Sequence, residues 1–380
     1  MKITIAILAY NEEDNLRWIL PEINKYVLQI GADSVEYLIV DSMTPTDNTK
    51  EVCEEFGARY INQEEKYYGG AMRTAFKHAT GDVFIILDAD GSQDYTQIPQ
   101  LYEAFCQNAD VVIGSRYVKG GETEDSKLSQ IMSHILNILY GKVMKLNVKD
   151  VSDSFRIYHT CDLKELYLSC ENFDIAEEIL YKLNLQKKGK LVIKEVPIKF
   201  VKREIGDSKR SLVKFIVSFA KTLLQFMVIN TLSINGYIPE VHDKKAKRIT
   251  DICVYIFFGV ITTIINLLVF IIVAKGLKVN YLIANIFAWV TAVIFAFVTN
   301  KTCVFNSWNW DKTILKQEFT LFISSRVFTG VADMLALWML VHQMNLDKTI
   351  AKFFVNIGVI IANYLLSRFG VWGRNPGYGK

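Results

Sequence analysis

The sequence predicts an α/β domain with a doubly wound parallel sheet, followed by a helical membrane domain. Apolar runs typical of buried strands alternate with helical segments over roughly the first two hundred residues, which is the pattern of a parallel sheet covered on both faces. Long apolar stretches then concentrate after Asp251, and the mean hydropathy of the chain is positive. A chain of 380 residues is long enough for two or three domains.

The bulk composition argues against several classes of function. A formal net charge of +3 is too small to predict nucleic-acid binding. The six cysteines form no C-x-x-C pair and no zinc-ligand spacing, so we expect inert thiols in a reducing compartment. No histidine lies beside a serine or cysteine in a nucleophile motif, which argues against a hydrolase. Because the chain begins directly with a predicted strand, we expect no cleavable signal peptide.

Five strands are predicted in the first part of the chain. Their ranges are Lys2–Leu8, Val35–Val40, Ala58–Ile61, Asp82–Asp90 and Val111–Ile113. A helix between the first two, Asp14–Leu28, is expected to be kinked or interrupted at Pro21. A second helix ends near Gly57, and a third begins at Gly69. No G-x-G-x-x-G follows the first strand and no G-x-x-x-x-G-K-[ST] occurs, which argues against a dinucleotide fold and a P-loop.

The fourth strand carries the central motif of the sequence. Its apolar run, Val83–Leu87, leads into Asp88 and, two residues on, Asp90. On a continuing strand that spacing would point both carboxylates to one side, at the sheet edge where α/β domains bind ligands. Hard oxygen ligands there suit Mg²⁺ or Mn²⁺ bound together with a substrate diphosphate. The alternative is a turn in which the two aspartates cap the next helix.

Five motifs occur in the order typical of a known family. They are Ala9-Tyr10-Asn11-Glu12-Glu13, Val40-Asp41-Ser42, Gly69-Gly70-Ala71, Asp88-Ala89-Asp90-Gly91 and Gly114-Ser115-Arg116-Tyr117-Val118-Lys119-Gly120-Gly121. With them, the stretch from about Met1 to Ser211 resembles family 2 glycosyltransferases of the GT-A fold. The branch it most resembles contains dolichol-phosphate mannose synthases and bacterial polyprenyl-phosphate glycosyltransferases. The resemblance implies transfer of a sugar from GDP-mannose or a UDP-hexose to dolichyl or undecaprenyl phosphate.

The resemblance also implies roles for individual residues. Nucleotide binding is implied for Ala9, Tyr10, Glu12, Asp41, Gly69, Asp88 and Ala89. Metal binding, of Mg²⁺ or Mn²⁺, is implied for Asp88, Asp90 and Ser92. Binding of the acceptor phosphate is implied for Arg116, Arg203, Ser208 and Lys209. A catalytic role is implied for Asp90, Asp150 and Arg203.

The sequence departs from the family pattern at one place. Asp150-Val151-Ser152-Asp153-Ser154-Phe155-Arg156 matches the D-x-x-S-G-F-R element, except that Asp153-Ser154 replaces Ser-Gly. The helix Phe173–Leu183 fits the one that carries a family glutamate, here Glu178. The stretch from Glu195 to Arg203, followed by Gly206–Lys209, matches the segment that grips the lipid phosphate.

The chemistry of such a reaction sets its own requirements. A polyprenyl monophosphate carries a charge of about −1.5 to −2 near neutral pH and is already a nucleophile. The site must therefore supply cations for the acceptor and a metal for the departing diphosphate, rather than a strong base. A single in-line displacement would invert the sugar C1. Asp150 could then orient the acceptor or accept a residual proton, and Arg203 and Lys209 could alternatively be membrane-surface charges.

Two segments lead from this domain to the membrane. Ser211–Asn230 is apolar but contains Lys214 and Lys221, which are seven residues apart and share a helical face. That pattern predicts a helix lying in the membrane interface, with a spanning helix as the alternative. The basic stretch Tyr237–Thr250 follows as a linker. The predicted domains are therefore 1–210, the interfacial helix and linker at 211–250, and a four-helix transmembrane domain at 251–380.

Four apolar segments are predicted to span the membrane. They are Ile252–Val273, Tyr281–Val298, Phe319–Val341 and Phe353–Leu366. Lysine and arginine are denser before the first segment, between the second and third, and after the fourth. The positive-inside rule then places both ends of this domain, and with them the catalytic domain, in the cytoplasm of a multi-pass membrane protein.

The membrane segments contain an internal repeat. Ala296–Phe305 aligns with Asn363–Trp372, and the same spacing pairs Thr262 with Thr329. Two related helix hairpins explain this, and the pattern resembles the GtrA-like membrane domain. Arg326 and Asp333 share a face of the third segment and are either functional charges or a buried structural pair.

Two other functions are compatible with parts of this pattern. A processive polysaccharide synthase would share the GT-A core, but no Q-x-x-R-W motif is present. A lipid-linked sugar translocator with a nucleotide-sensing domain would not need the acceptor cations. The expected partners are thus a nucleotide sugar, polyprenyl phosphate and the bilayer, with no nucleic acid; a homo-oligomer stays open.

Overall fold

Alternating strands and helices occupy the first of two units, Met1–Ala246, in the computed structural model of the chain. The second unit, Lys247–Lys380, is helical. The structure describes residues 1–201, 212–233, 236–278 and 280–373.

The first unit contains the following elements. Its strands are β1 (Lys2–Leu8), β2 (Ser34–Asp41), β3 (Arg59–Asn62), β4 (Val83–Asp88), β5 (Val111–Ser115), β6 (Glu122–Thr123), β7 (Arg156–His159), β8 (Ile193–Pro197) and β9 (Lys199–Phe200). Its helices are α1 (Glu13–Val27), α2 (Thr49–Glu55), α3 (Tyr67–His78), α4 (Ile98–Cys106), α5 (Lys127–Met144), α6 (Thr160–Lys164), α7 (Ile175–Gln186) and α8 (Leu212–Leu232).

Seven of these strands form one sheet in the order β3-β2-β1-β4-β7-β5-β8. The predicted parallel sheet is confirmed, with one exception. Strand β7 lies between β4 and β5 and runs antiparallel to both, whereas the other described pairings in this sheet are parallel. The short strands β6 and β9 pair separately. The carboxyl ends of β4 and β5 consequently meet the start of β7 at one edge.

The apolar run of β4 is explained by burial on both faces of the sheet. Phe84 and Ile86 belong to one core, which contains α3, α5 and α7. Ile85 and Leu87 belong to the other core, which contains α1 and α4. Because alternate residues of a strand point to opposite faces, every position of this strand must be apolar until the strand ends at Asp88.

The predicted interruption of the first helix at Pro21 does not occur. Helix α1 runs continuously from Glu13 to Val27 with Pro21 inside it. Pro21 lies on the exposed side of the helix. Its ring faces solvent there, and the missing backbone N–H does not leave an unpaired carbonyl in the core. Leu16, Ile19 and Ile23 on the opposite side are buried, and this apolar face stabilises the helix despite the proline.

Helix α8 contains most of the predicted interfacial segment. It packs against α5 and α7, two of the helices that cover the seven-stranded sheet. Phe219, Phe226 and Ile229 are buried in the same core as α5 and α7. The Tyr140 hydroxyl of α5 donates to the carbonyl of Phe219 at 2.7 Å, and the Thr222 hydroxyl donates to Asp174 at 2.5 Å. By length and composition the stretch Val213–Leu232 could also cross a membrane. The interfacial placement therefore stays a prediction.

The described residues of the second unit form four long helices, each of which ends in a π-helical turn. The helices are α9 (Val241–Ile271), which begins in the first unit, α10 (Tyr281–Thr299), α11 (Lys312–Trp338) and α12 (Lys348–Leu365). The π-helical turns are Ile272–Gly276, Asn300–Val304, Met339–Gln343 and Leu366–Val371. Each helix is long and apolar enough to cross a membrane.

The structure agrees with the internal repeat read from the sequence. The π-helical turns of the first hairpin recur in the second at the constant spacing found above. Residues at that spacing also occupy one core: Tyr255 with Phe322, Phe297 with Tyr364, Val304 with Val371, and Phe305 with Trp372. The two hairpins therefore contribute equivalent positions to a shared interior, as expected for a duplicated unit.

A buried ion pair joins the two hairpins. The Lys301 ammonium contacts the Glu318 carboxylate at 2.5 Å and the Ser307 hydroxyl at 2.9 Å. The side chains of Lys301 and Glu318 are 0% and 4% exposed, and Ser307 donates to the second Glu318 oxygen at 3.0 Å. A buried pair with these additional hydrogen bonds is satisfied as a unit, whereas either charge alone would be uncompensated.

We predict that Lys301→Met destabilises the protein by about 3–5 kcal/mol, because it leaves the Glu318 carboxylate buried without its partner. The double variant Lys301→Met/Glu318→Leu should recover most of the loss. Thermal unfolding of the full-length proteins in detergent measures both. A double variant as unstable as the single one would contradict this account.

Candidate active site

The end of β4 holds the first of the two central carboxylates. The Asp88 oxygen Oδ2 accepts a hydrogen bond from the Ser154 hydroxyl at 2.5 Å and another from the Gln93 side-chain amide at 3.2 Å. The Gln93 carbonyl oxygen in turn accepts the Asp88 backbone N–H at 3.0 Å. Asp88 is therefore held in one orientation by two segments outside its own strand, the turn after β4 and the loop before β7.

The second carboxylate sits in the turn that follows. Asp90 Oδ1 accepts the backbone N–H of Ser92 at 3.1 Å and its hydroxyl at 2.6 Å. Gly91 has a φ of +73°, and a Cβ there would come within 2.5 Å of the Trp18 ring, so this tight turn requires glycine. The following 3₁₀ turn is capped by Asp94, which accepts the Thr96 N–H. The helix-capping alternative for Asp88 and Asp90 is thus not what the structure shows.

The donor set at this edge fits a magnesium-like ion. Among the described residues there is no group of three or more His, Cys, Asp or Glu side chains that could hold a metal ion. Asp88 and Asp90 offer two carboxylates, and Ser92 contributes a hydroxyl that donates to Asp90. Mg²⁺ is commonly held by one or two carboxylates together with substrate phosphates. Asp88 and Asp90 would hold the ion, with the remaining oxygens coming from a diphosphate.

Four of the predicted nucleotide-binding residues lie at or just after the ends of β1 and β2: Ala9, Tyr10, Glu12 and Asp41. Asp41 is fully buried, and its carboxylate accepts the Ser42 N–H at 2.7 Å and the Tyr60 hydroxyl at 3.0 Å. Burial, and then the bond to Asp41, raise the pKa of Tyr60 to about 12, so Tyr60 remains a donor at physiological pH. Glu12, which is 7% exposed, accepts the Asn15 side-chain amide at 2.6 Å.

Tyr10 and Ala9 follow β1 at the same edge. Tyr10 is 56% exposed, whereas Ala9 is buried and donates its backbone N–H to Val40 at 2.9 Å. An exposed ring next to buried carboxylates is suited to stacking on a flat ligand. The nucleotide-binding role of Ala9 and Tyr10 stays a prediction.

Gly69 lies in the first turn of α3 and has a steric reason to be glycine. A Cβ at Gly69 would lie 2.2 Å from the Cys170 carbonyl oxygen, and its N–H donates to Glu171 at 2.8 Å. The loop that contains Cys170 is fixed by Glu178, whose carboxylate accepts the Ser169 and Cys170 N–H groups at 2.8–3.0 Å. Glu178 therefore fixes the loop that packs against Gly69 of α3.

Glu178 belongs to a buried network of charges. Its carboxylate lies 2.7 Å from the Lys182 ammonium, which also contacts Asp243 at 2.5 Å. Burial alone would raise the pKa of Glu178, but the Lys182 charge and the backbone donors lower it overall. The network ties α7 to the beginning of α9.

Arg116 and Asp150 form a bidentate pair. The Arg116 guanidinium donates to both Asp150 oxygens at 2.8 Å, and its backbone N–H donates at 3.1 Å. Ser152 donates to Asp150 as well. Asp150 is fully buried, and its two oxygens are occupied by these bonds. The geometry favours a positioning role for Asp150 through Arg116 over a role as a base.

The loop that carries Asp150 and Ser154 is anchored by Arg156 at the start of β7. The Arg156 guanidinium is 1% exposed and donates to the carbonyls of Val151, Asp153 and Ala176 at 2.6–2.7 Å. Asp153 accepts the Phe155 N–H at 2.8 Å. Burial raises the pKa of Asp153 to about 7 although Arg116 opposes the shift. Asp153 and Ser154, which replace Ser-Gly of the family pattern, therefore form a turn that is held by hydrogen bonds from Phe155 and Arg156.

Three predicted acceptor residues, Arg203, Ser208 and Lys209, lie outside the described residues. The segment that leads to them does pass the candidate metal site, because the Val201 N–H donates to the Ser92 carbonyl at 3.0 Å. Phe200, one residue earlier, lies under the Arg116 guanidinium at 5.4 Å. The structure thus brings together Asp88, Asp90, Arg116 and Asp150, and the described chain reaches Val201 beside them.

Sequence reasoning missed three contributors to the site: Tyr60, Gln93 and Ser154. Tyr60 and Gln93 belong to no motif that marks them. Ser154 did carry a signal, since it stands where the family pattern has glycine.

Comparisons with known proteins match both halves of the chain. Residues 4–166 match the family described as Glycosyl transferase family 2, and residues 254–372 match the one described as GtrA/DPMS, transmembrane domain. An uncharacterized membrane protein of Bacillus subtilis, YwcD, is 36% identical over 125 residues, which cover 33% of this chain and 98% of that protein.

Two enzymes are similar to the first half. An undecaprenyl-phosphate mannosyltransferase of Micrococcus luteus is 31% identical over 222 residues, which cover 56% of this chain and 88% of that protein. A dolichol-phosphate mannosyltransferase of Pyrococcus furiosus is 31% identical over 214 residues, which cover 55% of this chain. The match spans 59% of the length of the Pyrococcus protein.

Glu177 generates a prediction about pH. Both its carboxylate oxygens are buried with no hydrogen-bond partner among the described residues, and burial raises its pKa from 4.5 to about 8, although Arg156 opposes the shift. Between these two pKa values, 4.5 and about 8, Glu177 binds a proton in the folded state more often than in the unfolded state. Its contribution to the free energy of unfolding therefore falls progressively as the pH rises from one value to the other. We expect Glu177→Gln, which is neutral in both states, to be more thermostable than wild type by a margin that grows from about pH 5 to pH 8.

Thermal unfolding of both proteins over a pH series measures this margin. Glu103→Gln, at an exposed position on α4, is the control and should show no such growth. A margin that does not change with pH would contradict the prediction.

Proposed function

Because this chain belongs to glycosyl transferase family 2 and carries a GtrA/DPMS transmembrane domain, we propose that it is a membrane-bound inverting glycosyltransferase that moves a sugar from a nucleotide sugar to polyprenyl phosphate. The observation that carries the proposal is the edge formed by β4 and the turn after it. Two fixed carboxylates, Asp88 and Asp90, lie there beside the strand that leads into the predicted acceptor segment.

The donor is proposed to be GDP-mannose or a UDP-hexose. The Micrococcus and Pyrococcus relatives are named mannosyltransferases, which supports a mannosyl donor. Asp41 is fully buried and fixes the Tyr60 hydroxyl beside this crevice, while the exposed Tyr10 ring offers a stacking surface to either base. The described contacts fit both bases.

Different residues of the site are proposed to stabilise the leaving diphosphate and the acceptor phosphate. Asp88 and Asp90 would hold Mg²⁺ or Mn²⁺, which supplies positive charge to the leaving diphosphate. Asp150 holds the Arg116 guanidinium at the same edge. We propose that Arg203, Ser208 and Lys209 bind the acceptor phosphate, whose oxygen attacks the sugar C1 from the face opposite the nucleotide and inverts it. No side chain is needed as a strong base, because the phosphate is already ionised.

The catalytic unit carries an apolar surface suited to a lipid bilayer. Helix α5 packs one side against the core through Tyr140 and Met144. Five large apolar side chains on α5 are nevertheless 42–65% exposed: Leu128, Ile131, Ile135, Ile138 and Leu139. Four of them follow the three- and four-residue spacing of one helical face, and α8, which contacts α5, exposes Val213, Ile216 and Met227. An apolar surface of this kind marks a membrane or protein contact.

We propose that this α5–α8 surface seats the catalytic unit on the membrane that holds its lipid acceptor. The protein is a multi-pass membrane protein, and by the distribution of lysine and arginine we propose that its catalytic domain and C-terminus are cytoplasmic. We propose three functional parts of the chain: a catalytic domain at 1–210, an interfacial segment at 211–250 and a membrane domain at 251–380.

The proposed reaction has a direct test. Full-length protein in detergent with Mn²⁺, GDP-mannose and a polyprenyl phosphate should release GDP, and a parallel series with UDP-hexoses identifies the donor. Asp90→Asn should lower the rate about a hundredfold or more, because the metal supplies several kcal/mol of charge stabilisation.

The matched control is Asp94→Asn, an aspartate four residues on that caps the next turn and should retain transfer activity. Nucleotide release that ignores the lipid, or that survives Asp90→Asn, would refute the proposed function.

The membrane surface has a separate test. Ile131→Asp/Ile135→Asp should raise the KM for polyprenyl phosphate in vesicles by about tenfold or more, because each isoleucine removed from lipid loses about 1.5–3 kcal/mol, while the donor KM stays unchanged. Asn147→Asp adds a charge at an exposed position just after α5 and should leave both values unchanged. An unchanged lipid KM in the double variant would exclude this surface as the membrane seat.

A further inference from the structure

Asp88, Gln93 and Ser154 form a closed ring of hydrogen bonds. The Ser154 hydroxyl donates to Asp88 Oδ2 at 2.5 Å and accepts from the Gln93 amide at 2.9 Å. The same Gln93 amide nitrogen donates to Asp88 Oδ2 at 3.2 Å, and its carbonyl oxygen accepts the Asp88 N–H. Each side chain therefore contacts both of the others.

The hydroxyl of Ser154 has no described part in holding its own loop. That loop is fixed by the Arg156 guanidinium, which donates to the Asp153 and Val151 carbonyls, and by the bond from the Phe155 N–H to Asp153. The hydrogen bonds that the structure describes for the Ser154 hydroxyl all go to Asp88 and Gln93. Its removal should consequently change the carboxylate more than the backbone.

A carboxylate at the end of a strand rotates easily about its last torsion, which has broad energy wells. Two donors on Oδ2 of Asp88 turn that oxygen toward Gln93 and Ser154 and thereby fix where Oδ1 lies. Groups that orient a metal-holding side chain in this way typically change metal affinity or activity by about 10–100-fold when they are removed. The donors here come from the buried Gln93 and from a residue 66 positions away in the chain.

We propose that Ser154 is a positioning residue, which fixes the Asp88 carboxylate for the metal and diphosphate. The inference rests on the proposed function and adds to it a residue that stands where the family pattern has glycine. Ser154 acts through Asp88 and through the Gln93 amide that both share. The chain has thus replaced a small turn residue by a hydroxyl that orients the metal-holding carboxylate.

The proposal predicts a loss of metal affinity without a loss of folding. Full-length protein in detergent with excess GDP or UDP is titrated with Mn²⁺, and free Mn²⁺ is read by electron paramagnetic resonance. Ser154→Ala and Ser154→Gly should both raise the Kd for Mn²⁺ by about tenfold, with an unchanged thermal midpoint. In the transfer assay, kcat at saturating Mn²⁺ should largely recover.

Thr96→Ala is the matched control, because the Thr96 hydroxyl also donates to an aspartate, Asp94, at 2.5 Å, but outside the proposed metal set. Its Kd for Mn²⁺ should equal that of wild type. The inference is overturned if Ser154→Ala binds Mn²⁺ as wild type does, if Thr96→Ala weakens binding equally, or if Ser154→Ala lowers the thermal midpoint enough to explain the loss. Wild-type protein that binds no Mn²⁺ with either nucleotide and transfers no sugar would refute the proposed function, and this inference with it.

Discussion

The site depends on one strand that runs against its neighbours. Strand β7 is antiparallel to both β4 and β5, so it begins at the edge where they end. The loop that precedes β7 is thereby brought to the carboxyl ends of both strands, where Ser154 meets Asp88 and Asp150 meets Arg116. A parallel strand in the same place would have delivered its carboxyl end instead, and these two contacts would not exist.

The sequence was sufficient for the parts of the fold that have a local signal. The apolar run of β4 and the two carboxylates that follow it identified the centre of the site. Strand β7 has no comparable signal, because it is four residues long and begins with the buried Arg156. A run of four residues that begins with a charged side chain does not predict a strand in the centre of a sheet. The burial of Arg156 is possible because the carbonyls of Val151, Asp153 and Ala176 and the Tyr158 hydroxyl accept its donors, and these contacts exist only once the loop and α7 have folded around it.

The same limit applies to the membrane unit. The repeat could be read from the sequence because both hairpins retain equivalent apolar and polar positions. Lys301, however, follows the second predicted segment, and from the sequence alone it is one of the charges that favour a cytoplasmic connection there. In the structure it is fully buried against Glu318, so its charge is matched inside the protein. Lys312 and Lys316, which both lie in the first turns of α11, are then the charges that favour a cytoplasmic side for this connection.

Burial separates the cations that hold the structure from those that can bind a ligand. The buried cations Lys182, Lys301 and Arg116 each contact at least one carboxylate at 2.5–2.8 Å. A phosphate that took Arg116 away from Asp150 would leave that carboxylate buried and uncompensated, at a cost of about 3–5 kcal/mol. Arg116 can therefore add to the field at the sheet edge while it stays bound to Asp150, but it is a poor direct ligand for a doubly charged phosphate. We therefore propose that direct contact with the acceptor phosphate is made by Arg203 and Lys209, which follow Val201 in the sequence.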